Sequence, residues 1–312
     1  MKKLTASETK SRFSDETMIP DGSFSVTLAE REDFLLPKRR ADTHKYDYGR
    51  ALILAGSVGF SGAPVLAANA CEKSGAGLTT LMVPRELYPI AACRCDGAVV
   101  KPLKSTENGC ASREALAEIL PALQKADACV IGPGFGTGSD AADILREVLA
   151  RAACPLVLDA DALTVCGKDP DLLTRCSVPL ILTPHEGEFR RLGGNLESGR
   201  LAGCAGWMCR HPEQILVLKG NGTLVGYGKE ISVNPTGTPA MAKGGSGDVL
   251  CGILCALLAQ GIEPFQAAKT AVYLHGLAGE LAEKALGEYC VTPSDLIRFL
   301  PEAFRSVCST SS

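Results

Sequence analysis

From Arg50 onward the chain breaks into short runs that are apolar almost throughout, at residues 51–55, 78–83, 129–132, 156–159, 180–183 and 215–219. A strand with one wet face alternates apolar and polar residues. These runs do not alternate, so they predict strands covered on both faces. Between them, residues 63–74, 112–124, 139–151 and 200–209 carry helical patterns. Strand and helix in regular alternation imply right-handed βαβ crossovers, and the chain is predicted to be α/β, a doubly wound, mainly parallel sheet flanked by helices. The rhythm changes after Lys219: residues 223–227 and 230–233 are close enough to pair as an antiparallel edge. An apolar helix closed by Gly261 follows, then helices at about 264–286 and 293–304. Residues 1–25 are polar and unpatterned and read as a mobile extension ahead of one domain over 26–312, with no internal repeat or dividing linker.

At 312 residues the chain can bury a large core, and 46% hydrophobic with only 5% aromatic residues suits a parallel sheet rich in Ala, Leu, Val and Gly. Net charge is −3 and the basic residues are scattered, which argues against a nucleic-acid surface; Lys38-Arg39-Arg40 reads as a solvated turn. The fourteen cysteines lie in apolar segments, as Cys129, Cys251 and Cys255 do, and read as reduced core residues in a reducing cytoplasm. No Cys-x-x-Cys pair occurs, and Cys93-Arg94-Cys95 is too short a spacing for a structural zinc site. No apolar segment follows Lys2 and Lys3 as a signal peptide requires, and no run reaches the roughly 20 apolar residues of a membrane span. Mean hydropathy is positive and residues 252–258 are apolar all round, which predicts surface buried between subunits and hence a homo-oligomer.

The densest chemistry lies in Asn234-Pro-Thr-Gly-Thr-Pro-Ala-Met-Ala-Lys-Gly-Gly-Ser-Gly-Asp248, immediately before the apolar helix. Its glycines let the backbone approach a ligand, and the unpaired amides of a helix start stabilise a phosphate. Asp248 either accepts a proton from a hydroxyl attacking a phosphoryl group or merely caps the helix. At a helix start it is expected to be ionised at neutral pH. Other glycine-rich or polar segments follow strands, as ligand-binding segments of open α/β sheets do. They are residues 56–64, residues 132–136, Asp159-Ala160-Asp161, Thr183-Pro-His-Glu-Gly-Glu188 and Lys219-Gly-Asn-Gly-Thr223. The last is either a nucleotide contact or a simple hairpin turn. A lone histidine is more often structural, but His185 ends a strand between Pro and Glu, where binding is an equal alternative. Neither a dinucleotide Gly-x-Gly-x-x-Gly nor a Walker lysine is present.

Together with Leu158-Asp-Ala-Asp-Ala-Leu163 and Tyr273-Leu-His-Gly-Leu-Ala-Gly279, these segments resemble the ADP- or ATP-dependent NAD(P)H-hydrate dehydratases of the ribokinase-like superfamily, from about Arg39 to Phe304. The resemblance implies removal of water from the hydrates NADHX and NADPHX at the expense of ADP or ATP, with Mg²⁺ bridging the phosphates. It implies that Asp248 is the base and that Ala63, Gly134 or Gly136, His185 and Asp248 contact the hydrate. It also implies that Lys219, Gly220, Asn221, Gly222, Thr223 and Gly247 contact the adenine nucleotide; protein ligands to the metal stay unassigned. The epimerase domain often fused ahead of such enzymes has no room here, so the chain resembles a stand-alone dehydratase. Departures from the family pattern are Tyr46, Thr238, Ala240, Lys243 and Ser246, of which Lys243 could alter how phosphates are held. The alternatives are a ribokinase-like kinase of a small hydroxymethyl vitamin precursor and an idle nucleotide-binding regulator. The long glycine-lined groove speaks against the first, and a carboxylate beside the anion hole against the second.

Overall fold

A computed structural model describes residues 2–3, 24–34, 36 and 39–308. Most of the expected N-terminal extension lies outside the described residues, as does Lys38 of the basic run; Arg39 and Arg40 are exposed.

The strands are β1 (Lys2–Lys3), β2 (Ser25–Leu28), β3 (Arg50–Leu54), β4 (Leu78–Pro84), β5 (Val99–Leu103), β6 (Ala128–Ile131), β7 (Leu156–Leu158), β8 (Leu180–Leu182), β9 (Gln214–Leu218), β10 (Leu224–Tyr227) and β11 (Glu230–Val233). They form one sheet in the order β1-β2-β11-β10-β9-β8-β7-β6-β3-β4-β5. Every pairing from β9 through β5 is parallel. The expected hairpin forms, since β10 is antiparallel to both β9 and β11. It is not the sheet's edge, because β2 pairs parallel to β11 and β1 pairs with β2.

The helices are α1 (Gly62–Lys73), α2 (Tyr88–Arg94), α3 (Leu116–Leu123), α4 (Ser139–Arg151), α5 (Ala160–Lys168), α6 (Glu186–Arg191), α7 (Arg200–Arg210), α8 (Ser246–Ala259), α9 (Pro264–Leu286) and α10 (Pro293–Cys308). Successive strand residues point to opposite faces. Ile53, Val130, Val157, Ile181 and Val217 pack into the core formed with α1, α8, α9 and α10. Their neighbours Leu52, Leu54, Ile131, Leu158, Leu182 and Leu216 pack into a second core with α3, α4, α5, α6 and α7. Burial on both sides explains why the strands are apolar without alternation.

Helix α8 is buried at every residue from Val249 to Ala259. A Cβ at Gly252 would lie 2.2 Å from the Ala67 carbonyl oxygen of α1, so the two helices touch backbone to backbone. Its apolar circumference is thus consumed inside one protomer. That corrects the inference of a subunit interface from residues 252–258. Elements that sequence pattern missed are short or exposed: α5 and α6 start at the two segments read as loops after strands, and β5 carries Lys101 and Pro102, as an edge strand can. No helix among the described residues is long and apolar enough to cross a membrane.

Strand β3 is the switch point. From it the chain runs outward through β4 and β5, then returns to β6 on its other side and proceeds to β9. A crevice at the carboxyl ends of β3 and β6 is where ligands bind in such sheets.

Candidate active site

The chain enters α8 through Gly245, whose φ of +99° is left-handed and whose missing side chain leaves room for Leu66 and Pro293. The amides of Gly247 and Asp248 make no hydrogen bond to another described residue, as expected of a first turn. Asp248 is the third residue of the helix rather than its cap, and its carboxylate has no hydrogen-bond or ion-pair partner among the described residues. The capping reading therefore fails. Burial, and after it the negative charge of Asp159, push the Asp248 pKa up to about 7 against the pull of Lys219. The expectation that the helix start keeps Asp248 fully ionised at neutral pH is corrected accordingly: desolvation outweighs the dipole.

Beneath this turn lies an ionic cluster. Lys219, just past β9, brings its Nζ to 2.7 Å from Asp159 Oδ1 and 3.8 Å from Glu188 Oε2. Thr183 Oγ1 also donates to Asp159 Oδ1, at 2.8 Å. Burial alone would raise the Asp159 pKa, but the Lys219 charge and these hydrogen bonds hold it below the usual carboxylate range. Burial likewise would lower Lys219, and Asp159 with Glu188 more than reverse it. A Cβ on Gly247 would sit 3.2 Å from Lys219 Nζ and 3.7 Å from Asp159 Oδ2, so the pair lies directly against the anion loop. Residues 219–223 form the turn between β9 and β10, in which Thr223 Oγ1 donates to the Gly220 carbonyl at 2.9 Å. Arg200 of α7 grips this turn from below, donating to the carbonyls of Leu218 at 3.0 Å and of Asn221. Nothing in the sequence around Arg200 signals that task.

The other wall joins the two glycine segments at the switch point. Gly56 N donates to the Pro133 carbonyl and Ser57 Oγ to the Gly134 carbonyl, both at 2.8 Å. Gly136 N donates to Asp161 Oδ2 at 2.9 Å, tying this wall to the segment after β7. Ala63 stands in the first turn of α1, and Leu66, one residue past that turn, abuts Gly245. Gly134 is buried under Phe60, whereas Gly136 is half-buried beside Cys110.

His185 stands at the start of α6. Its Nδ1 accepts from the amides of Gly187 at 3.0 Å and Glu188 at 3.2 Å, and Glu188 Oε2 accepts from the His185 amide at 2.8 Å. This reciprocal cap makes Nδ1 an acceptor and leaves the ring proton on Nε2. His185 is therefore built to donate rather than to abstract a proton. Of the residues that sequence reasoning left without a role, Asp159, Glu188, Arg200 and His275 lie at the site. His275 of α9 has a buried Nε2 without a hydrogen-bond partner among the described residues, and burial pushes its pKa down to about 4, so the ring is neutral. Lys243 turns away from the anion loop and donates to the carbonyls of Tyr289 at 2.8 Å and Val291 at 2.6 Å. Tyr46 is exposed on the turn before β3, at the opposite end of the strands.

The family model for NAD(P)H-hydrate dehydratase matches residues 51–302. The chain belongs to the NAD(P)H-hydrate dehydratase family. It is 41% identical over 277 residues to a bifunctional NAD(P)H-hydrate repair enzyme of Moorella thermoacetica, covering 87% of this chain and 52% of that one. The chain thus spans about half the length of the bifunctional relatives it matches. To the ADP-dependent (S)-NAD(P)H-hydrate dehydratase of Listeria monocytogenes it is 35% identical, covering 85% of this chain and 91% of that one. Among solved structures, a ribokinase-like superfamily protein of Enterococcus faecalis superposes with a TM-score of 0.80 at 28% identity, covering 94% of this chain and 99% of that one. The ADP/ATP-dependent NAD(P)H-hydrate dehydratase of Bacillus subtilis, co-crystallised with ATP/Mg²⁺, superposes at 0.77 with 29% identity, covering 90% and 99%. The ribokinase-like fold expected from the dehydratase family is the fold observed.

The raised Asp248 pKa fixes a sign for stability in this dehydratase fold. Between the ordinary value of 3.8 and about 7 the folded chain keeps a proton on Asp248 that the unfolded chain has lost, so this group's contribution to stability declines as pH rises across that window. Asp248→Asn removes the buried charge and should raise the melting temperature at pH 8, with the gain vanishing by pH 4. Calorimetric melts across that range check it; a variant less stable than the parent at pH 8 contradicts the assignment.

Proposed function

We propose that the chain dehydrates NADHX and NADPHX to NADH and NADPH, with ADP or ATP as phosphoryl donor. The observation that carries this reading is Asp248: a carboxylate with no hydrogen-bond or ion-pair partner among the described residues, poised near neutrality, beside two amides likewise unpaired among them, at the start of a buried helix. Water added across the nicotinamide 5,6 double bond leaves a hydroxyl, and hydroxide is a poor leaving group. Asp248 takes the proton from that hydroxyl as its oxygen attacks the terminal phosphoryl group, and the bond from that phosphorus to the bridging oxygen breaks, so that AMP leaves from ADP or ADP from ATP. The amides of Gly247 and Asp248 stabilise the charge developing on the phosphoryl oxygens. Phosphate then departs with its bonding electrons, water takes the proton from the neighbouring ring carbon, and the electrons of that C–H bond restore the double bond. His185 orients the hydrate through Nε2–H, Ala63 and Gly136 line its groove, and the turn from Lys219 to Thr223 receives the nucleotide with Gly247.

Mg²⁺ bound with the nucleotide would neutralise phosphate charge. No group of three or more metal-ligating side chains forms among the described residues, which fits an ion held mainly by phosphate oxygens and water, with Asp248 or Asp159 as the nearest carboxylates. The fourteen free thiols suit a reducing cytoplasm. The alternative kinase of a small hydroxymethyl compound leaves the paired glycine walls unexplained. For a homo-oligomer the support that remains is apolar surface near the edge strand β5, where Tyr88, Ile90 and Val99 are exposed.

Near-ultraviolet absorbance should return when the enzyme meets the hydrates with Mg²⁺ and either ADP or ATP, offered separately. Asp248→Asn should stay folded and lose about 100- to 10,000-fold in single-turnover rate, the usual worth of a general base. A folded and fully active variant sinks the mechanism. In calorimetry Gly247→Val, whose side chain would hold a phosphate away from the loop amides, should weaken Mg-nucleotide binding about 10-fold or more, the worth of one hydrogen bond to a charged group lost in this way, and unchanged affinity would remove the nucleotide from this turn. Light scattering should give a mass above that of one chain; a monomer at all working concentrations ends the homo-oligomer proposal.

A further inference from the structure

The groove wall at the switch point carries two apolar side chains that the fold holds in solvent. Val58 is 57% exposed and Phe60 is 61% exposed, both on the loop between β3 and α1. They are supported from beneath by two glycines in left-handed conformations. A Cβ at Gly109 would lie 2.1 Å from Val58 Cγ2, and one at Gly134 would lie 2.7 Å from Phe60 Cβ and 3.5 Å from its ring carbon Cγ. The loop is pinned at its base, where Val58 N donates to the Gly109 carbonyl at 3.0 Å and Ser57 Oγ to the Gly134 carbonyl at 2.8 Å. The Phe60 ring stacks on no other aromatic ring among the described residues. An aromatic ring left in water forgoes the free energy of burial, and glycines that hold it there serve no core. Gly134 itself is buried under Phe60, so what meets a ligand at this wall is the ring.

We propose that Phe60, flanked by Val58, is the stacking platform for a planar ring of the dinucleotide substrate. It is thereby a specificity residue that favours long dinucleotides over small hydroxyl compounds. The proposal rests on the dehydratase reading above. The platform would take either the adenine, a flat aromatic bicycle, or the nicotinamide end, whose single ring is near-planar in NADPH and puckered at the two saturated carbons of the hydrate.

The experiment compares the parent with Phe60→Ala and Phe60→Tyr, reading affinities for NADPH, ADP-ribose, reduced nicotinamide mononucleotide and Mg-ATP by fluorescence and calorimetry. Stacking of a base on an aromatic ring predicts that Phe60→Ala weakens NADPH about 10-fold or more, while Phe60→Tyr stays within about 3-fold of the parent. Mg-ATP affinity should be unchanged in both. A parallel loss for ADP-ribose assigns the platform to adenine, and one for the mononucleotide assigns it to the nicotinamide end. Equal NADPH affinity in parent and Phe60→Ala overturns the platform and leaves the dehydratase reading standing. A parent that does not bind NADPH at all overturns that reading and the platform with it. Loss of Mg-ATP binding in Phe60→Ala would also overturn the proposal, since it would show damage beyond the dinucleotide groove.

Discussion

The site depends on a buried ion pair. Asp159 is almost wholly buried, and taking its charge out of water costs several kcal/mol unless a partner and hydrogen bonds replace the solvent. Lys219 supplies the partner, Thr183 a hydrogen bond, and Glu188 a second negative charge on the far side of the ammonium. These groups come from the carboxyl ends of β7, β8 and β9, so the pair fixes three neighbouring strand ends to one another. Removing one member would leave a buried charge uncompensated, typically at a cost of about 3–5 kcal/mol. The first turn of α8 rests on this pair at Gly247. The same pair sets the electrostatic surroundings of Asp248, raising its pKa through Asp159 and lowering it through Lys219.

A base must be ionised to accept a proton, yet a weakly basic carboxylate accepts it poorly. Asp248 near pH 7 lies between these limits, and it does so because burial and Asp159 outweigh Lys219 and the helix start. The arrangement asks the fold to hold, in a half-buried turn, a carboxyl group without a partner among the described residues. On the proposed reading of Asp248 as the base, activity and stability pull in opposite directions at this one residue.

The centre of the sheet was legible because β3, β6, β7, β8 and β9 are buried on both faces, which writes a nearly unbroken apolar run into each of them. The central helix was legible too, but its apolar circumference has two physical causes, burial within a chain and burial between chains, that sequence does not separate. The glycine segments stood out because left-handed turns and close backbone contacts leave no alternative to glycine, as at Gly245. Short elements were not legible: α6, with six residues, is less than two turns, and its start is marked by a histidine rather than a common capping residue. Arg200 and His275 were silent because their tasks depend on neighbours far away along the chain. The ionisation of Asp248 was misjudged for the same reason, since the helix start is visible in sequence while the depth of the turn and the nearness of Asp159 are not.

The two walls of the groove are held by different parts of the chain. On the α8 side, Lys243 clamps the carbonyls of Tyr289 and Val291 in the connection between α9 and α10, and Pro293 packs against Gly245. These contacts join the anion loop to the segment that leads into the carboxyl-terminal helix. On the facing wall, Cβ atoms added at Gly59 and Gly62 would meet nothing within 4 Å. The anion loop is thus tied through Lys243 and Pro293 to the chain that leads into α10, so a substitution that loosens the start of α10 would reach the phosphate-facing amides without touching the groove itself.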